Sequence, residues 1–239
     1  ETGIRCTTSK YNEDILGMMF GIDKFGIKLL FYFAGMALMS FGVVVSVISD
    51  LGVTPISSIP YTITVVSGMD FGVATMIFSV LMVLLQILIL RKNYKIVNLL
   101  QLPIGLVFGA FRTFCGLITA SIPTPDSFVL KIFLILLSTV FVAAGVFLFV
   151  SPGFVPLPPA GFVIAVSQAL RKKFSTVKVI SDVTMVLISL LTCVIIVHSL
   201  GSVGVGTIIA AVLVGYEVKL LTKFFGAKRD RILGRAGIR

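Results

Sequence analysis

The chain has 239 residues, of which 57% are hydrophobic and only 13% are charged, and its formal net charge is +10. A soluble domain carries about a quarter charged residues, so this composition, with a mean hydropathy of +1.12, excludes a water-soluble globular enzyme, a disordered chain and a disulfide scaffold. The basic residues cluster between apolar runs, which is typical of topology signals in a membrane protein rather than of nucleic-acid binding.

Six apolar runs predict an all-α polytopic membrane protein with about six transmembrane helices, because a span needs roughly 20 apolar residues. The runs lie at residues 27–50, 71–90, 96–119, 128–150, 175–198 and 203–222. Two proline-rich stretches, 51–70 and 151–170, are also long enough to cross a membrane. We expect both to be re-entrant segments instead, although two further complete spans are the alternative.

The distribution of basic residues favours the re-entrant arrangement. With the N-terminus inside, it places every lysine and arginine except Arg112 and Lys131 on the cytoplasmic side, as the positive-inside tendency requires. If both stretches spanned the bilayer, the basic turn 91–95 would face outside. The prediction is therefore a multi-pass protein of the inner (cytoplasmic) cell membrane with both termini in the cytoplasm.

An internal repeat is predicted when Pro55 is superimposed on Pro158. The same shift aligns Gly42 with Gly145 and, after a three-residue insertion, Gly109 with Gly215. Each unit holds three spans, so the second copy would be inverted, as in many secondary transporters. The predicted organisation is a cytoplasmic N-terminal segment (1–25), repeat 1 (26–120, with re-entrant segment 51–70), repeat 2 (128–222, with re-entrant segment 151–170) and a basic cytoplasmic tail (223–239).

The candidate solute site lies where the two short segments begin. Pro55 follows Thr54, a pattern typical of a helix N-terminus. A half-helix that begins inside the membrane directs unpaired N–H groups inward, which suits a polar or anionic ligand. The alternative is that the hydroxyl groups simply cap a buried turn. The candidate substrate-binding residues are Thr54, Pro55, Ser57, Ser58, Tyr61, Pro158, Ser167, Gln168 and Arg112.

Ionisable side chains inside the apolar runs are a second candidate feature, because a charge at that depth is costly and marks a proton relay, an ion site or a paired charge. Asp182 and Asp50 are the candidate ion- or proton-coupling residues. For Asp182 the alternative is a simple ion pair with Lys178 at the helix end. Arg112 is stranded in the third run, and we expect Asp182, Glu217 or an anionic ligand as its partner. Glu217 is expected near the membrane surface.

Several pieces of the sequence resemble one known family. The pieces are GVTPISSIPY (52–61), LPPAGFVIAVSQ (157–168), KVISDVTMVLI (178–188) and VGTIIAAVLVG (205–215). They are similar to the YczE/YyaS/YitT family of small bacterial integral membrane proteins, and the likeness runs from about residue 30 to 222. The resemblance implies a multi-pass inner-membrane protein of uncharacterised or transport function. The sequence departs from the family pattern at Ala160, where the family often carries a glutamate.

The function expected from these features is that of a small secondary transporter or permease for a small polar or anionic solute, with proton coupling as an added hypothesis. The alternative is a non-transporting membrane module, namely a regulatory, assembly or substrate-binding subunit or a lipid-handling scaffold. No enzymatic activity, metal or cofactor is expected, because the sequence has no visible catalytic set or metal cluster. Expected partners are the lipid bilayer, the small-molecule solute and a second copy in a homodimer, with no nucleic acid.

Overall fold

The computed structural model describes residues 4–199 and 201–233, with side chains from residue 25 onward. Within that range the regular structure is helical, and six of the helices are long and apolar enough to cross a bilayer. The outer ends of the predicted terminal segments, 1–3 and 234–239, lie outside the described residues. The helices are α1 (Ile4–Ser49), α2 (Pro55–Ser67), α3 (Phe71–Leu90), α4 (Gln101–Thr119), α5 (Phe128–Val150), α6 (Pro158–Leu170), α7 (Phe174–Ile196) and α8 (Val205–Ile232).

The six predicted spans are confirmed as long apolar helices, and both proline-rich stretches contain a short helix. The helix ends differ most from the ends of the apolar runs in α1 and α8. α1 begins at Ile4, before its apolar run, and α8 continues past the predicted end at 222 to Ile232. Hydropathy locates the part of a helix that lies in lipid, whereas the hydrogen-bonded helix can continue into water.

α1 and α5 form the central pair and run antiparallel. Near one end Tyr32 Oη donates to Val155 O at 2.7 Å, and near the other Lys131 Nζ pairs with Asp50 Oδ2 at 3.0 Å. Between these ends Gly42 lies so close to α5 that a Cβ there would be 2.8 Å from a backbone nitrogen of α5. Small residues at such a crossing let membrane helices pack closely. Close packing matters because helices in lipid have no hydrophobic driving force to associate.

α3 and α4 form an antiparallel hairpin that has no close counterpart in the second half of the chain. A Cβ at Gly109 would lie 2.7 Å from Gly72 O, and at the opposite end of the hairpin Gln86 Nε2 donates to Gln101 Oε1 at 2.9 Å. The corresponding helices α7 and α8 do not pack along each other in this way. Around the position that a Cβ of Gly215 would take, no atom other than the adjoining backbone of α8 lies within 4 Å.

The segment that contains α2 starts and ends at the same end of the helix bundle. α1 ends beside the start of α5, as the Asp50–Lys131 pair shows. α4 leads into that same end of α5, and α3 begins beside the second half of α4, where Thr113 Oγ1 donates to Asp70 Oδ1 at 2.5 Å. The chain therefore enters and leaves this segment where α4 ends and α5 begins.

The segment that contains α6 starts and ends at the opposite end of the bundle. α5 finishes at the end where Tyr32 reaches Val155. α7 finishes at the other end, because the turn after it meets the residues that follow α1, with Val53 N donating to Ser202 O at 3.2 Å. α7 must therefore begin where α5 stops, and α6 lies between them at that end.

The two short helices cross between the halves of the chain. α2 packs chiefly against α7, and α6 packs chiefly against α3. Their first residues are buried, including Pro55, Ser58 and Pro158, whereas Ser67 and Leu170 at their C-terminal ends are exposed. Both helices therefore begin inside the protein, where the first-turn N–H groups must find partners other than water.

Candidate functional site

The guanidinium group of Arg112 lies at the start of α2 and is almost completely buried. The residue is 3% exposed. Its Nη1 donates to Thr75 Oγ1 at 2.9 Å and its Nη2 donates to Ser57 Oγ at 2.7 Å. The Cζ atom lies 4.6 Å from the ring centroids of both Phe71 and Phe108, which stabilise the cation through their π faces. The buried Nε has no hydrogen-bond partner among the described residues.

The expected pairing of Arg112 with Asp182 or Glu217 is wrong. Within the described residues Arg112 takes part in no ion pair. Asp182 pairs with Lys178 on its own helix, and Glu217 is hydrogen-bonded to Thr139 on α5. The reason is packing, because α4 contacts α1 and α3, whereas α7 and α8 lie against other elements. An anionic ligand remains as the third expected partner.

The residues that start α2 form the polar side of the Arg112 site. Thr54 is the N-cap residue, as predicted, but its hydroxyl does not cap a backbone N–H; it donates to Ser57 Oγ at 3.0 Å. Ser58 Oγ donates to Pro55 O at 2.7 Å and so caps the turn internally. Ser57 accepts from both Thr54 and Arg112, and its own hydrogen has no acceptor among the described residues. That hydrogen is free to bind an anion.

Tyr61 and Asp50 lie nearer to the end of the bundle than Arg112 does. Both line a small cleft, and the Tyr61 ring packs edge-on against Phe71 with centroids 5.4 Å apart. The Asp50 side chain is 66% exposed and pairs with Lys131. The expectation of Asp50 as a buried charge is therefore wrong, because Asp50 stands in the turn directly after α1 ends and its side chain is exposed there.

The start of α6 is held by amide groups rather than by hydroxyls. Gln86 Nε2 donates to Pro158 O at 3.1 Å and also to Gln101 Oε1. Gln86 and Gln101 are both buried, so this network joins α3, α4 and α6 inside the protein. Neither amide was among the predicted site residues.

Ser167 and Gln168 are not brought to either buried helix start. Ser167 Oγ donates to Lys172 O at 2.7 Å, just beyond the C-terminal end of α6, and Gln168 is exposed. At 1.5 Å per residue these side chains lie about 14 Å along the helix from Pro158. Of the two predicted half-helix starts, the first therefore carries the polarity of the candidate site.

The space between the two short helices is filled by apolar side chains. Phe78, Met82 and Met185 form a buried cluster, against which Ile59 of α2 and Phe162 of α6 pack. An apolar cleft of about 480 Å³ is lined by residues of α1, α4 and α5, and Arg112 does not line it. The conformation described here is thus closed between the two helix starts.

The described residues offer no obvious place for a metal, since no group of three or more His, Cys, Asp or Glu side chains lies together. The arrangement they do provide is a buried cation whose Nε–H has no partner, beside a hydroxyl whose hydrogen has no acceptor. Those two donors can hold a carboxylate, phosphate or similar oxyanion.

Comparison with known proteins identifies a family whose function is unknown. A family profile described as "Family of unknown function (DUF6198)" matches residues 26–223. Searches of curated proteins and of solved structures found no significant match. The narrower likeness to the YczE/YyaS/YitT family stays a prediction. Since the match covers most of the chain, including both short helices, the chain belongs to the DUF6198 family, and the chain itself is a membrane-type helical protein.

Proposed function

We propose that this protein is a small permease for a small oxyanion, which binds between Arg112 and the start of α2. The observation that carries the proposal is a buried guanidinium group with no carboxylate partner among the described residues. An uncompensated charge inside a membrane protein costs several kcal/mol, and such groups mark substrate or ion pathways. A bound anion offsets that cost.

The start of α2 adds to the attraction for an anion. The N-terminus of a helix carries a partial positive charge, and this one is buried, where water screens it poorly. Ser57 supplies a hydroxyl hydrogen next to Arg112. The start of α6 supports the proposal less, because its first turn carries no hydroxyl and the Gln86 amide already donates to Pro158 O.

The packing of the chain supports an inverted repeat and, with it, alternating access. The segments with α2 and α6 open at opposite ends of the bundle, and each short helix packs on the other half. In transporters of this kind the two halves rock against each other around a central site. The apolar cluster of Phe78, Met82 and Met185 would then be the closed gate between the two helix starts.

The test is anion flux into vesicles that contain the purified full-length protein. Labelled inorganic phosphate, sulfate, acetate and succinate are the probes. We expect the wild type to take up or exchange at least one of them, and Arg112→Met to lose that flux by at least tenfold. Arg231→Gln, which removes an exposed arginine, controls for net charge and should keep it. Wild-type vesicles that pass none of the four probes faster than empty vesicles would contradict the proposal.

A second candidate function is a non-transporting membrane module. The apolar cluster favours it, because Phe78, Met82 and Met185 leave no visible passage between α2 and α6. In that case an anion would bind at Arg112 and stabilise the protein without crossing the membrane. Met185→Ala separates the two functions, since opening a gate raises flux whereas a cavity in a scaffold only lowers stability.

The proposal also includes a location in the cell, a membrane topology and an oligomeric state. We place the protein in the cytoplasmic membrane with both termini inside, and we assign it no enzymatic activity. The exposed sides of α7 and α8 leave room for a second copy, so a homodimer is compatible with the fold. The YczE/YyaS/YitT resemblance is compatible with all of these features.

A further inference from the structure

Glu217 carries a carboxyl group at mid-depth in the helix bundle. It lies on α8 and faces Thr139, the central residue of α5, whose Oγ1 is 3.1 Å from Glu217 Oε1. Its second oxygen, Oε2, is buried and has no partner among the described residues. The sequence-based expectation that Glu217 lies near the membrane surface is wrong, because α8 continues well past the apolar run and places Glu217 opposite the middle of α5.

The Thr139 hydroxyl has two neighbouring acceptors, Leu136 O and Glu217 Oε1, if Glu217 is ionised. Thr139 Oγ1 also lies 2.8 Å from Leu136 O, which is an acceptor only. A threonine hydroxyl has a single hydrogen, so it cannot donate fully to both Leu136 O and a Glu217 carboxylate. A protonated Glu217 removes the conflict, because it donates to Thr139 Oγ1 while Thr139 donates to Leu136 O.

The charges around Glu217 give an ionised carboxylate no compensation. On α5, the titratable residue is Lys131, which pairs with Asp50 near the helix end. α2 contributes Tyr61, which lies beside Asp50 in the small cleft. On α8 itself the neighbouring Tyr216 and Lys219 are exposed. Glu217 forms no ion pair among the described residues.

We infer that Glu217 is the proton-carrying group of this protein and that it holds a proton in this conformation. The proton comes from water, binds the carboxylate to form a neutral carboxylic acid, and returns to water when the site opens. Asp182, the residue expected from sequence to do this, is instead held by Lys178. The role of Glu217 in proton coupling rests on the proposed transport function, whereas its protonation in this conformation does not.

The test is infrared difference spectroscopy of the full-length protein in lipid vesicles, which detects the carbonyl band of a protonated carboxylic acid. We expect a band at neutral pH that fades reversibly as the bulk pH is raised. Glu217→Gln should lack it, and Asp182→Asn should keep it. Absence of the band in the wild type would overturn the inference, and so would a band that no change of bulk pH affects.

A second variant covers the case in which Glu217→Gln does not fold. Thr139→Val leaves the glutamate in place and removes the hydroxyl to which it donates. We expect the carbonyl band to persist at a higher frequency, because its acid hydrogen loses its acceptor; an unchanged spectrum would contradict the inference. A titrating band in a protein that passes no anion would reject the proposed transport and leave the protonation of Glu217 standing.

Discussion

At the scale of single residues, Arg112 is held by groups that do not neutralise it. Two hydroxyls and two aromatic rings surround the guanidinium group, and none of them is an anion. Replacing even a buried ion pair by apolar side chains of similar volume is often neutral or stabilising, by about 1–4 kcal/mol, and a charge without a counter-charge has no Coulomb gain to lose. On the proposed function, Arg112 therefore serves binding rather than folding.

Arg112→Met tests that distinction in the absence of any added anion. We expect its melting temperature to equal or exceed that of the wild type, because the uncompensated charge is gone and Met fits between two phenyl rings. Thermal unfolding of both proteins in the same anion-free buffer measures the difference. A fall of several degrees would mean that Arg112 has a structural role.

Ser57→Ala tests the hydroxyl at the start of α2. A hydrogen bond to a charged group contributes about 1.5–3 kcal/mol, which corresponds to a roughly tenfold or larger loss of anion affinity. Ser67→Ala is the matched control, because it changes an exposed serine at the other end of the same helix. Equal anion affinity in the two variants would remove Ser57 from the site.

Sequence patterns predicted which residues of this site are polar but not which of them meet. Thr54–Pro55 predicted the start of α2, since Pro without an N–H fits only the first turn. The contact of Arg112 with Thr75 was not predictable, because it depends on how α3 and α4 rotate about their axes, and apolar runs lack a clear polar face that would fix the rotation. Glu217 was misplaced for a related reason, as hydropathy alone does not show where α8 ends.

At the scale of helices, the α3–α4 hairpin depends on glycines that bring the two backbones together. Gly109 and Gly215 are equivalent in the predicted repeat, yet the first is enclosed and the second is open. Gly109→Leu should force α3 and α4 apart and lower the melting temperature markedly, whereas Gly215→Leu should change it little. Similar effects of the two substitutions would contradict the packing described for α3 and α4.

The start of α6 gives a second prediction at this scale. Gln86→Leu removes the side-chain donor to both Gln101 Oε1 and Pro158 O. Pro158 O keeps its place in the backbone ladder of α6, whereas the buried Gln101 Oε1 loses this donor. An unpaired buried group costs about 1–3 kcal/mol, so we expect a clear loss of unfolding free energy. Gln168→Leu, at the exposed end of α6, is the control and should lose little. If Gln86→Leu were as stable as the control, the amide network would not anchor α6.

At the scale of the whole molecule, the order and lengths of the spans followed from the sequence because bilayer thickness fixes helix length. The relative arrangement of the halves did not, since contacts such as α2 with α7 join residues far apart in the chain. The proline-rich composition of 51–70 and 151–170 indicated that neither segment forms a continuous helix. Only the packing shows that their buried ends face one shared apolar cluster.

The proposed orientation is tested with single cysteines placed on two exposed turns, in a background without the native cysteines. Asn93→Cys lies in the basic turn and Ser121→Cys in the turn between α4 and α5. An impermeant maleimide added to intact cells should label position 121 and reach position 93 only after permeabilisation, because basic turns stay inside. Labelling of both positions in intact cells would contradict the orientation.

The most direct measurement of the central claim, that Arg112 and the start of α2 bind an oxyanion, is the melting temperature of the purified protein across a series of phosphate and carboxylate concentrations. A ligand that binds only the folded form adds about 2.7 kcal/mol at roughly 100 times its Kd. We predict a saturable rise for the wild type and for Arg231→Gln, and none for Arg112→Met. An equal rise in the wild type and Arg112→Met, or no rise with any of these anions, would contradict the claim.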